Sequence, residues 1–223
     1  MNRRLERIQA LIPQGRGVID VGTDHGYLPA ALAKAGYPGV ILASDINDEP
    51  LHAAKRTAQA AGVTDKIRFL LCDGLHGCDP EAVDTLVLAG MGGDLICRIL
   101  DEAEWTMDPQ YTMILQPMTK AEVLRYWLSN NDYGIVREDL VEDGGKLYSI
   151  LTVRFGTAWP LTDAELFTGS RKLLAEDPLF QPFLEAQITR MEKALAGMEE
   201  GSDMDVGKHK LYAEVLCQMR EMR

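Results

Sequence analysis

Short apolar runs rich in β-branched residues alternate with helical patterns over residues 17–131. The runs are GVIDVG (17–22), VILASD (40–45), IRFLL (67–71), DTLVLAG (84–90) and YTMILQP (111–117). Between them lie PAALAKAG, EPLHAAKRTAQAAG, GGDLICRILDEAE and KAEVLRYWLSNN, which carry helical spacing or strong helix formers. Strand and helix in alternation, with brief connections, predict an α/β fold with a parallel sheet and helices on both faces. The nearly continuous apolar character of the runs fits strands buried on both sides. Ahead of them RRLERIQALI reads as a short helix, ended by Pro13 and Gly15.

After Asn131 the pattern changes. YGIVREDLV and KLYSILTVRF are extended segments separated by EDGG, which reads as an antiparallel hairpin. Around Gly156–Pro160 it changes again, and DAELFTGSRKLLAED, PLFQPFLEAQITRMEKALAGM and HKLYAEVLCQMREM all read as helices. In the second of these Phe180, Phe183, Leu184, Ile188, Met191, Leu195 and Met198 recur mostly at three- or four-residue steps. The expected organisation is an α/β domain over residues 1–156 and a small helical, coiled-coil-like domain over 157–223.

The 223 residues, 46% hydrophobic and 26% charged, have the composition of an ordinary globular protein with a full core. No apolar run approaches the ~18 residues of a membrane span. The start, MNRRLERIQA, lacks the apolar segment of a secretory leader, and four unevenly spaced cysteines suit a reducing cytoplasm. Cys72, His76 and Cys78 match no zinc spacing, so no metal is expected. A net charge of −11 excludes attachment to nucleic acid by overall charge, but leaves room for a local basic patch.

The first strand ends in Asp20-Val21-Gly22-Thr23-Asp24-His25-Gly26-Tyr27. A strand that breaks into a glycine-containing turn and then a helix is where doubly wound sheets hold an adenosine-containing ligand. Asp45, at the end of the second strand, stands where a carboxylate accepts hydrogen bonds from ribose hydroxyls, unless it merely caps the following helix. A nicotinamide dinucleotide fits poorly. The position where its fingerprint needs a second glycine holds Asp24, whose charge would repel a pyrophosphate. S-adenosylmethionine has no phosphate and carries cationic groups, so Asp20 and Asp24 favour it. Asp73-Gly74, after the third strand, reads either as an acceptor for the adenine amine or as a simple turn. Gly90-Met91-Gly92-Gly93, after the fourth, allows close approach of a ligand or forms a tight turn into the next helix.

The turn GTDHGYLP, the GMGG run, the LQP segment and the EDGGKLYSI hairpin together resemble the bacterial tRNA (adenine-22-N1)-methyltransferases. The likeness implies a Rossmann-like class I methyltransferase sheet, an S-adenosylmethionine cofactor and a C-terminal helical domain. It places Asp20, Gly22, Thr23, Asp24, Gly26, His25, Asp45, Ile46, Asp73, Gly74 and Gly90 about the cofactor. It places Gly90, Met91, Gly92, Gln116 and Pro117 near the transferred methyl and the base, with Asp24 and His25 as further catalytic candidates. The family's Asn after Gln-Pro is replaced here by Met118.

For an RNA substrate, Arg3, Arg4, Arg7, Arg125 and Lys146 are the candidate phosphate contacts. The tail from Thr157 is not basic, with twelve acidic and eight basic residues. It either grips tRNA by shape or serves association, so monomer and weak dimer both stay open. A small-molecule methyltransferase and a non-catalytic cofactor-binding protein are the competing readings.

Overall fold

The computed structural model describes residues 2–199 and 205–223. The five apolar runs become parallel strands β1 (Gly17–Val21), β2 (Val40–Asp45), β3 (Arg68–Leu71), β4 (Thr85–Gly92) and β5 (Thr112–Thr119). The hairpin follows as β6 (Tyr133–Asp143) and β7 (Lys146–Phe155). The sheet has seven strands in the order β3-β2-β1-β4-β5-β7-β6, with β7 antiparallel to both of its neighbours. The order reverses at β1, so the crevice beyond the ends of β1 and β4 is the place where such sheets bind ligands. The central runs are buried on both faces, with every residue of β1 buried and Leu86, Val87 and Leu88 of β4 fully enclosed, whereas the run of β3, at the sheet edge, leaves Arg68 and Leu71 exposed.

Helices α2 (Tyr27–Lys34), α3 (Asp48–Ala61), α4 (Gly93–Asp101) and α5 (Ala121–Asn130) connect successive strands. The apolar side chains of the sheet and these helices form two clusters, one built around Ile19, Leu86, Leu88 and Met113 and one around Val18, Ile41, Val87 and Ile114. The alternation of neighbours between the two clusters is the period-two pleat of the strands. Helix α1 (Arg3–Leu11) buries Ile8 and packs against β6 and β7 rather than beside β1. Its N-cap Asn2 accepts a hydrogen bond from the Leu5 backbone N–H at 2.9 Å. This crossing brings α1 to the end of β5.

The helical tail comprises α6 (Asp163–Thr168), α7 (Arg171–Leu174), α8 (Phe180–Glu199) and α9 (Val206–Glu221). The expected single helix over 163–177 is broken in two. Gly169 sits at φ 83, and a Cβ there would come within 2.5 Å of the Glu138 carboxylate, so the chain turns where the carboxylate comes close. Helices α8 and α9 run antiparallel, as the ion pairs Arg223–Glu185 and Arg220–Glu192 and the His209–Glu199 contact require. Part of the predicted connector, residues 200–204, lies outside the described residues. The apolar stripe of α8 joins Val215, Leu216 and Met219 of α9 and Leu140 of β6 in a third cluster, which fastens the helices to the hairpin. Among the described residues no helix is long and apolar enough to cross a membrane.

Candidate active site

A cleft of about 410 Å³ opens where β1, β2, β3 and β4 end. Gly22, Asp45, Ile46, Asp73, Gly74, Gly90 and Met91, all singled out in the sequence, line it together. Ile46 is 57% exposed and Leu95 of α4 is also exposed, which gives the cleft apolar walls for a flat base.

The turn after β1 is built by short-range hydrogen bonds. The Thr23 N–H donates to the Ser44 carbonyl at 2.9 Å and the Gly26 N–H to the Thr23 carbonyl at 2.8 Å. At Gly26 a Cβ would approach the Ala54 side chain to 2.6 Å, so only glycine lets α2 start this close to α3. Asp20 is buried behind the turn, and its carboxylate accepts from Thr23 Oγ1 at 2.7 Å. Burial, with the charge of Asp45 adding to it and the Thr23 bond opposing it, pushes Asp20 up to about 7. Asp45 is nearly buried, and its Oδ1 accepts from the Asn47 backbone N–H at 2.9 Å. The N-cap of α3 is Asn47, so Asp45 keeps its second oxygen for the cleft.

Asp24 and His25 lie outside the cleft lining. Asp24 has a left-handed backbone (φ 48), and its side chain is 71% exposed, with an oxygen 3.6 Å from His25 Nε2. The His25 ring stacks on exposed Tyr27 at a centroid distance of 5.5 Å. Tyr27 is therefore not packed under α2. The trio forms an open polar and aromatic edge next to Gly22, reachable by a substrate rather than committed to the core.

Beyond Ala89 the pairing of β4 with β5 slips around Gly90, so that Met91 lies opposite Pro117 and Gly92 opposite Thr119. Gly90 has φ 83 and open space where a Cβ would project, so the bulge bares backbone at the cleft mouth. Gln116 differs from its expected role. It is fully buried, its Nε2 donates to the Pro117 carbonyl at 2.9 Å, and its Oε1 accepts from Arg4 Nη1 at 3.0 Å. Pro117 is buried too. The Gln116 amide is thus engaged within the protein, and Pro117 lies at the start of a neighbouring groove.

Of the five expected phosphate contacts Arg125 is buried, and half-buried Arg4 and Arg7 are engaged by partners within the protein. Arg125 is 0% exposed; it donates to Glu138 Oε1 at 2.6 Å, to Ser149 Oγ at 3.1 Å and to the Leu166 carbonyl at 2.8 Å. It lies on the inward face of α5 beside Leu124 and Leu128, which the helical period reveals. Arg7 pairs with Asp139, and Arg4 turns toward Gln116. Burial pushes Asp139 up, but hydrogen bonds from Arg137 and Arg7 outweigh it and hold the carboxyl below its usual range. Arg3 and Lys146 remain exposed.

Arg98 joins the site although no motif marks it. From α4 it lines the cleft and grips Asp73 with two bonds, Nη2 to Oδ1 at 2.8 Å and Nη1 to Oδ2 at 3.2 Å. That grip holds the Asp73 carboxyl below its usual range. Arg98 also pairs with Glu102 at 3.2 Å, one turn along the same helix. Only the i,i+4 spacing of Arg98 and Glu102 signals its involvement in the sequence.

The donor set fits S-adenosylmethionine. Carboxylates stand at the ends of β2 and β3 with Asp20 buried behind β1, Arg98 in the cleft lining is already matched by two acids, and the walls are apolar. Residues 1–151 match the methyltransferase domain family. The tRNA (adenine(22)-N(1))-methyltransferase of Bacillus subtilis is 32% identical over 156 residues, 70% of this chain and 66% of that enzyme. The matched stretch thus spans just under two thirds of that relative's length. The crystal structure of the B. subtilis m1A22 tRNA methyltransferase superposes with a TM-score of 0.84 at 26% identity, covering 100% of this chain and 98% of that one. A Streptococcus pneumoniae protein crystallised in complex with S-adenosyl-L-methionine superposes with a TM-score of 0.83 at 29% identity, over 99% and 98% of the two chains. The chain belongs to the methyltransferase domain family.

Proposed function

We propose that the protein transfers a methyl group from S-adenosylmethionine to N1 of adenine 22 in tRNA, in the cytoplasm. The observation that carries this reading is the carboxylate-lined cleft meeting the bare backbone of Gly90 at the end of β4. The matches to tRNA methyltransferases support the substrate. When bound, S-adenosylmethionine supplies a methyl group on a positively charged sulfur.

Asp45 would accept the ribose hydroxyls, and Asp73, held by Arg98, the adenine amine. Asp20 and Thr23 close the site from behind. Because N1 of adenine already carries a lone pair, no side chain has to remove a proton before transfer. What the chain supplies is alignment of the base against the rim. The base has to leave its stack for its Watson–Crick edge to reach Gly90–Gly92. The methylated base is cationic, and Asp24, an exposed carboxylate on the β1 turn, would stabilise it. Residues 1–156 form the catalytic unit in this proposal and 157–223 a helical unit that helps hold the RNA.

Incubation with S-adenosylmethionine and unmodified bacterial tRNA, followed by nucleoside mass spectrometry, tests the reading. N1-methyladenosine mapped to position 22 is the expected product. Cofactor binding without any methylated nucleoside would overturn it in favour of a non-catalytic or small-molecule role.

A further inference from the structure

A second groove, of about 430 Å³, lies between the β5–α5 connection, the β6–β7 turn and one face of α8. It begins at Pro117 and Thr119, the residues that pair with Met91 and Gly92 of the rim, and runs outward to Lys146 and Arg190. Among the described residues no acidic one lines it, although the chain has 34 Asp and Glu. Lys146 and Arg190 are exposed, and among the described residues neither has a carboxylate partner within ion-pair distance. Lys120 is different, since Asp94 takes its ammonium at 2.7 Å. Lys120 also stands in the left-handed region (φ 55) as the N-cap of α5, where no side chain caps the first-turn N–H groups. Ala121, the first residue of α5, lines the groove, so the uncapped N-terminus of α5 lies at its edge. Tyr148 lines the middle of the groove, with the Arg4 guanidinium 5.5 Å from its ring centre.

Two unpaired cations, a helix N-terminus and an aromatic ring along one acid-free groove are the parts that hold single-stranded nucleic acid. We infer that this groove carries the stretch of RNA next to the target adenine, with phosphates on Lys146, Arg190 and the α5 N-terminus and a base against Tyr148. The inference rests on the tRNA reading above. It gives the helical tail a definite role, in which α8 supplies one wall of the RNA path and the Arg125–Glu138 pair keeps the tail against the hairpin that supplies the other.

The test compares the full-length wild type with the double reversal Lys146→Glu/Arg190→Glu. The charge-keeping pair Lys146→Arg/Arg190→Lys and the reversal Lys34→Glu, at the far end of α2 on the opposite rim, serve as controls. Fluorescence anisotropy with labelled tRNA across a salt series, calorimetry with S-adenosylmethionine and methylation rates are measured for each. The double reversal should weaken tRNA binding by at least about tenfold and lower the salt slope by about 2. Cofactor affinity should not change, and the loss should fall on KM for tRNA more than on kcat. Both controls should behave as wild type. Equal affinity and slope in the double reversal, with a wild type that methylates tRNA, would overturn the groove alone. An equal loss in Lys34→Glu would overturn it too, since the effect would then be general charge. A wild type that neither binds nor methylates tRNA would overturn the tRNA reading and the groove together.

Discussion

Arg4 Nη1 donates to Gln116 Oε1 at 3.0 Å across 112 residues of sequence, which ties α1 to the back of the active-site rim. Replacing Arg4 by Ala leaves the Gln116 oxygen buried without a donor, a loss of about 1–3 kcal/mol. The expected result is a lower melting temperature and a kcat that falls more than KM for tRNA rises. Steady-state kinetics beside calorimetric melting would check it. Unchanged kcat with weakened tRNA binding would return Arg4 to the role of a phosphate contact.

The strand-ending acids were legible because strand and helix patterns are local and the sheet brings every strand end to one rim. Asp45, Asp73 and Gly90 needed only their positions after apolar runs to be placed. Arg98 and Arg4 were not legible as cleft and rim residues, because the partners that define them lie 25 and 112 residues away. Arg125 was misread by charge, although its place between Leu124 and Leu128 marks the buried face of α5. The break at Gly169 depends on Glu138, a contact no local propensity contains.

Arg125 and Glu138 form an ion pair in which both side chains are fully enclosed. Glu138 also accepts from the Ser170 backbone N–H at 2.9 Å, so one pair holds α5, the hairpin and the helical tail together. Arg125→Ala strands a buried carboxylate and should destabilise the protein by about 3–5 kcal/mol in denaturant unfolding. Arg125→Ala/Glu138→Ala should recover part of that loss, because no charge is then left unpaired. A variant with wild-type stability and selectively weaker tRNA binding would instead make Arg125 an RNA contact.

Arg98 bears on cofactor affinity through Asp73. Its removal takes a cation out of the cleft, which alone would favour a cationic ligand, but it also frees Asp73 to rotate. The site is open to water, so the charge effect is small and the orienting effect should win. Arg98→Ala should weaken S-adenosylmethionine and neutral-sulfur S-adenosylhomocysteine by the same factor, about three- to tenfold for a lost charged hydrogen bond in an exposed site. Calorimetry with both ligands decides the matter. Tighter S-adenosylmethionine binding, with S-adenosylhomocysteine unchanged, would show that charge and not orientation is what Arg98 contributes.

Asp20 predicts a pH dependence whose sign follows from burial. Its carboxyl is pushed up to about 7 in the folded chain, from an ordinary value of 3.8. Between those values the folded state holds a proton that the unfolded chain has released. This group's contribution to stability is therefore full at low pH, is lost as pH rises through the window, and levels off above about pH 7. Asp20→Asn cannot ionise and should flatten that part of the stability curve. The cofactor has the opposite preference, because a cationic ligand favours the ionised carboxylate. Its affinity should rise from about pH 6 to about pH 8, with a proton released on binding at the lower end. Calorimetry in two buffers of different ionisation enthalpy would count that proton. The Asn variant should bind with no such release and more weakly at the higher pH. A wild-type affinity that stays flat across this range would mean that Asp20 supports the turn through Thr23 and does not feel the ligand's charge.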